Sequence, residues 1–199
     1  MNQPRSESPL VAAGRRTPDW LLFFKKFLKH GKAIASIVPS STYLARAVVR
    51  GIDFSRARVV VELGAGTGPI TAELLRRCGD CRAVIVERDP DFCQRLRERF
   101  PRADVAEADA ADLERLLNER ALEQVDHFLC GLPLPSFAPE ARDHILDVVH
   151  RRLRPGGTFR QLTHVPWVFY GMYRKYFKAV HFQMVFRNLP PAGFYTCRP

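Results

Sequence analysis

The chain has 199 residues, 46% of them apolar and 26% charged, a balance that supports a buried core and excludes wholesale disorder. Lys and Arg number 31 against 21 Asp and Glu, and the net charge of +10 points to an anionic partner, nucleic acid or a membrane surface. Residues 1–50 carry 9 basic and 2 acidic side chains, residues 51–150 carry 13 and 19, and residues 151–199 carry 9 and none, so two basic ends flank a mildly acidic middle.

Residues 1–18 are polar and contain proline, and they read as a flexible tail. Asp19 is a suitable N-cap for a helix running to about residue 30, with Gly31 behind it as a stop. A second helix is expected after Pro39-Ser40-Ser41, continuing to about residue 50. These two helices, 19–50, form an expected capping unit ahead of a domain at 51–199. In that domain a β-branched run at 58–63 reads as a strand and 70–77 as a helix. A second strand is expected at 83–87, and Asp89-Pro90 opens a helix through residue 99. Strand, helix and strand are then expected at 104–107, 113–120 and 125–130, followed by a helix at 139–152. Arg154-Pro155-Gly156-Gly157 reads as a turn before a fifth strand at 158–163. Alternation of this kind predicts an α/β fold: a Rossmann-like, doubly wound sheet, mostly parallel. Two further stretches, 180–186 and 193–197, joined through Asn188-Leu189-Pro190-Pro191, predict an antiparallel C-terminal hairpin that completes seven strands.

Five cysteines, an odd number, do not suggest a secreted disulfide framework. Cys78 and Cys81 have CxxC spacing without a second pair, so no metal site is expected and they read as two thiols on a helix-to-strand turn. The first ten residues lack a signal peptide's apolar run, and no stretch approaches the ~20 apolar residues that span a bilayer. The expected location is cytoplasmic, peripheral on the inner face of the cytoplasmic membrane.

The strongest local signal is Val59-Val60-Val61-Glu62-Leu63-Gly64-Ala65-Gly66-Thr67-Gly68. Glycines after a strand let the backbone turn sharply and approach a ligand. A nicotinamide dinucleotide fingerprint needs Gly-x-Gly-x-x-Gly, but Pro69 occupies the sixth place, which provides poorly for a pyrophosphate. Glu62 would repel a phosphate, yet it suits a cationic amino group. Glu87, followed by Arg88, closes the second strand where a carboxylate can take ribose hydroxyls, and Asp109-Ala110 follows the third strand where an adenine amino group would lie.

Together with Leu153-Arg154-Pro155-Gly156-Gly157 before strand five, these features resemble the class I S-adenosylmethionine-dependent methyltransferases. The resemblance implies S-adenosyl-L-methionine as cofactor, with Glu62, Gly64, Ala65, Gly66, Thr67, Gly68, Glu87, Arg88, Asp109, Ala110 and Gly131 around it. Ribosomal-RNA adenine dimethyltransferases share the loop, but their pattern after strand four is Asn-hydrophobic-Pro-aromatic, which grips the amine and stacks the flipped base. Here the stretch is Gly131-Leu132-Pro133-Leu134, with neither amide nor ring, so a nucleic-acid acceptor is disfavoured.

The bacterial phospholipid N-methyltransferases, which act on phosphatidylethanolamine or ornithine lipids, are resembled over roughly residues 23–197. Ile37-Val38-Pro39-Ser40-Ser41 with Leu44-Ala45, Cys130-Gly131-Leu132-Pro133-Leu134, Gln161 and the Leu-Pro-Pro-Ala ending at Ala192 carry that resemblance, with Cys130 where the family has Ser. It implies a lipid substrate; a cofactor-binding protein without catalysis is the other class that the same loop allows. Trp20, Phe23, Phe24, Phe27 and Leu28 share one face of the first helix, and Lys25, Lys26, Lys29 and Lys32 share the other. That is the pattern of an in-plane helix on an anionic membrane surface, and the same face would also serve to pack on the sheet domain or to stack nucleic-acid bases. Tyr43 and His164 are the candidates for orienting the acceptor amine or taking its proton. Ser40, Ser41, Arg46, Arg160 and Arg187 are candidates for the acceptor headgroup, since a guanidinium grips phosphate or carboxylate bidentately.

Overall fold

The computed structural model describes residues 40–164, 167–188 and 191–199, with the backbone alone at Ser40 and Ser41. The expected tail at 1–18 and the expected helix at 19–30, with Trp20, Phe23, Phe24, Lys25, Lys26, Phe27 and Lys29, lie outside the described residues.

Helix α1 (Ser40–Val49) precedes strand β1 (Val59–Leu63), helix α2 (Pro69–Arg77), strand β2 (Arg82–Glu87), helix α3 (Pro90–Arg99) and strand β3 (Asp104–Glu107). A 3-10 turn at Ala110–Asp112 leads into α4 (Leu113–Glu119), β4 (Val125–Cys130), α5 (Pro139–Arg152) and β5 (Leu153–Thr163). A one-turn helix, α6 (Tyr170–Tyr173), then leads to β6 (Ala179–Val185) and β7 (Ala192–Arg198). The seven strands lie in the order β3-β2-β1-β4-β5-β7-β6, the first five parallel and β7 antiparallel to both its neighbours. Chain direction across the sheet reverses between β1 and β4, which opens the crevice where such folds bind ligands.

Because successive strand residues point to opposite faces, the β-branched runs feed two cores. Val61, Leu63, Phe128, Cys130, Phe159 and Tyr195 pack with α4, α5 and Tyr173 of α6. Val60, Ile85, Leu129 and Phe194 pack on the other face with Leu44, Ala45, Val48 and Val49 of α1 and with Ile70 and Leu74 of α2. Helix α1 is therefore part of the sheet's own core. Asp89 caps α3 as its position before Pro90 predicts, accepting from the amides of Asp91 and Phe92.

Three features differ from the sequence expectation. Strand β5 begins at Leu153, so Arg154-Pro155-Gly156-Gly157 lies inside it. Val125 pairs with Leu153 but His127 with Thr158, a bulge in which the extra residues swell out and Gly156 takes φ 84°. Cys78 and Cys81 are joined by a disulfide across the turn from α2 to β2, with Cα atoms 5.3 Å apart, where two thiols were expected. Arg160, expected at the acceptor headgroup, is buried beneath α1. Its Nη1 donates to the carbonyls of Val48 at 2.5 Å and Arg50 at 2.7 Å. Those carbonyls belong to the end of a helix, where partners inside the helix run out. Burial, with Arg198 nearby, lowers the Arg160 pKa to about 10.

Candidate functional site

The carboxyl ends of β1, β2, β3 and β4 bring most of the predicted cofactor residues to one rim. After β1 the chain passes through Gly64, Gly66 and Gly68, all left-handed, before Pro69 starts α2. Gly66 has φ 54° and its missing Cβ would meet nothing within 4 Å, so the loop presents bare backbone to open space there. Gly131 is the opposite case. Its amide donates to the Leu63 carbonyl at 2.9 Å, and a Cβ would stand 2.7 Å from the Gly64 oxygen. The turn after β4 is thus pressed against the first glycine of the loop.

Glu62 points into the protein and is fully buried. Thr71 Oγ1 on α2 donates to its Oε2 at 2.7 Å, while Oε1 is buried without a hydrogen-bond partner. Burial pushes the Glu62 pKa up to about 8, the Thr71 hydrogen bond opposes this, and the neighbouring Glu87 carboxylate adds to it. A buried carboxyl with one unpartnered oxygen is a fitting acceptor for an ammonium group. Glu87 closes β2 and fastens the loop: the Gly66 amide donates to its Oε2 at 2.8 Å, and the amides of Arg88 and Asp89 donate to Oε1 at 2.8 and 3.0 Å. Each carboxylate oxygen has two acceptor sites, so Oε2 keeps capacity for a hydroxyl. Beyond β3, Asp109 accepts from the Ala111 amide at 3.0 Å and from Arg88 Nη1 at 3.2 Å, while Ala110 is buried behind it. These groups fit S-adenosylmethionine: an ammonium at Glu62, ribose hydroxyls at Glu87, adenine by Asp109 and its neighbours, and room at Gly66.

The predicted acceptor residues are divided. Tyr43 on α1 is half-exposed, and the Arg187 guanidinium lies over its ring at 5.5 Å, so α1 and the tip of the β6–β7 hairpin meet there. Arg46 donates to Glu73 at 3.0 Å, and Glu73 also holds Arg76 at 2.9 Å, which ties α1 to α2. His164 is exposed just beyond β5, and Ser40 and Ser41 lie in the first turn of α1. Arg160 is withdrawn from the group, as described above. Thr71 was not anticipated; its signal is a hydroxyl nine residues after Glu62, on the first turn of the helix that follows the loop. Among the described residues, the large apolar side chains that are exposed are Tyr43, Trp167, Val168, Tyr170 and Phe186.

Residues 60–157 match a family described as methyltransferase domain. The chain is 52% identical over 184 residues to the ornithine lipid N-methyltransferase of Singulisphaera acidiphila, covering 90% of this chain and 96% of that protein. A shorter match, 39% identical over 70 residues, joins it to ribosomal RNA small subunit methyltransferase A of Bordetella avium, covering 34% of this chain and 26% of that one. Among solved structures, the 1,6-didemethyltoxoflavin-N1-methyltransferase of Burkholderia thailandensis, with S-adenosylhomocysteine bound, superposes with a TM-score of 0.66 at 20% identity. That match covers 97% of this chain and 92% of that one.

Proposed function

Since the chain belongs to the bacterial lipid N-methyltransferase family of the class I S-adenosylmethionine-dependent methyltransferases, we propose that it methylates the amino headgroup of a membrane lipid, ornithine lipid or phosphatidylethanolamine, at the membrane surface. The observation that carries the acceptor class is the near full-length likeness to a protein named for ornithine lipid, while the sequence matches to ribosomal RNA small subunit methyltransferase A cover 28–44% of the chain. Gly131-Leu132-Pro133-Leu134 supports the same reading, because a flipped base would find neither an amide acceptor nor a stacking ring there.

The bound donor supplies an electrophilic methyl group on a sulfonium. The protein's part is to hold the donor and to bring the acceptor amine up neutral. Freeing a primary alkylamine of its proton at pH 7 costs about 4–5 kcal/mol from a pKa near ~10.4, and a desolvating site lowers that cost. Tyr43 and His164 orient the amine or take its proton, and Arg187, already poised over Tyr43, takes the headgroup's phosphate or carboxylate.

Access from the bilayer is supported by the exposed set of Trp167, Val168, Tyr170 and Phe186. All four lie in the acid-free stretch 151–199. Trp167 follows the carboxyl end of β5. Phe186 follows β6, next to the Val185–Ala192 and Thr163–Gly193 pairs, so both are at the rim that carries the glycine loop. Among the described residues no helix is long and apolar enough to cross a membrane.

Radiolabelled S-adenosylmethionine offered with ornithine-lipid vesicles, phosphatidylethanolamine vesicles and ribosomal RNA in parallel tests this. Label should enter a lipid; label in RNA adenine alone would reverse the choice.

A further inference from the structure

We infer that Gln161 is a positioning residue for methyl transfer, acting by holding the turn after β4 at the distance that separates the donor loop from the arriving amine. Gln161 lies in the middle of the sheet, opposite Cys130 on β4 and Tyr195 on β7, and is fully buried. Its Nε2 donates to the carbonyls of Leu132 at 2.7 Å, Leu162 at 3.0 Å and Cys130 at 3.3 Å. An amide nitrogen has two hydrogens, so three carbonyls converge on two donors and the shortest contact is the one to the turn.

The other side of the same turn bears on the donor loop. Gly131 donates to Leu63, and the Leu132 side chain fills the space a Cβ at Gly64 would need, with its Cγ 2.7 Å from that point. Gln161 is therefore the back support of a wall whose front is the first glycine of the cofactor loop. Its Oε1 is buried without a partner. An apolar side chain would not incur that penalty, so what the position uses is the pair of N–H donors. The hydrogen bonds that hold Glu62, Glu87 and Asp109 come from elsewhere: Thr71 for the first, the amides of Gly66, Arg88 and Asp89 for the second, and the Ala111 amide with Arg88 for the third. Loosening the turn shifts Gly131 at the edge of the donor site but keeps the three carboxylates in place, so donor affinity should change little while methyl transfer, where small displacements slow a reaction strongly, should change much.

The activity arm rests on the lipid reading above; the other two arms do not. Gln161→Met keeps the length and removes the donors, and Gln161→Glu keeps the shape and leaves at most one donor, the proton of a buried carboxyl, for three carbonyls. In both variants, S-adenosylhomocysteine affinity by calorimetry should stay within about twofold of the parent. Amide exchange across 130–134 should quicken at least about tenfold, with 59–63 unchanged. Label transfer to ornithine-lipid vesicles should show kcat down about tenfold or more, with KM for S-adenosylmethionine held within about threefold. Unaltered exchange, an unaltered kcat in a parent that labels lipid, or a parallel loss of donor affinity would each overturn the assignment. A parent that labels neither lipid fails the acceptor reading instead, and exchange with donor affinity still decides the role of Gln161.

Discussion

Glu62 is the residue at which the site's electrostatics are open to measurement. Its pKa stands at about 8 in the folded protein through burial, against an ordinary value of 4.5. Between those two values the folded state holds a proton that the unfolded chain releases. The stability that goes with it is full below about pH 4.5 and is lost as pH rises through 8. Without ligand, thermal stability should fall from pH 5 to pH 8, and Glu62→Gln should flatten that slope. An ammonium placed at Glu62 favours the carboxylate, so binding S-adenosylhomocysteine near pH 7 should release a proton. Calorimetric enthalpies should then vary with the ionisation heat of the buffer, and an invariant enthalpy would remove Glu62 from the ligand. Much of this rim was legible in the sequence, because glycines and acids at strand ends occupy places dictated by backbone geometry. The fate of the arginines was not. Arg46, Arg160 and Arg187 look alike in sequence, and only packing decides that one meets Glu73, one a pair of carbonyls and one a tyrosine ring.

At the scale of elements, hydrophobic alternation and helix caps located the strands and helices from β1 to α5 to within a residue or so. The departures have physical causes. Pro-Gly-Gly signals a turn locally, yet strand pairing on β4 continues through it as a bulge. Helix α6 has four residues, too few for a periodic pattern, and is fixed by tertiary contacts such as the Phe169 amide donating to Tyr195 Oη at 3.3 Å. Arg160 shows how α1 is held to the sheet. Orphaned helix carbonyls cost about 1–3 kcal/mol each, and a cation at a helix C-terminus contributes up to about 2 kcal/mol. Arg160→Met should therefore destabilise the protein by about 1–3 kcal/mol and speed proteolysis within α1. A gain in denaturation midpoint would mean that desolvating the guanidinium outweighs the carbonyls it serves.

For the whole molecule the distribution of charge matters more than its sum. Two basic ends around an acidic middle suit attraction to an anionic surface through either end. Sedimentation with vesicles should rise with anionic lipid content and fall with salt, since screening shortens to ~3 Å at 1 M. Replacing Phe23, Phe24 and Phe27 by Ser should weaken it while S-adenosylhomocysteine affinity stays intact. Sedimentation that ignores both salt and the triple replacement would take the membrane out of the proposal.

The strand order has a temporal side as well. Strand β6 is made before β7, yet in the finished sheet it reaches β5 only through β7. A folding chain therefore cannot seat β6 on the sheet until β7 is in place. Trp167 and Phe186 flank β6 in the chain. Completion of the sheet is the insertion of β7 between β5 and β6, and until it happens both strands present unpaired edges that another chain could use.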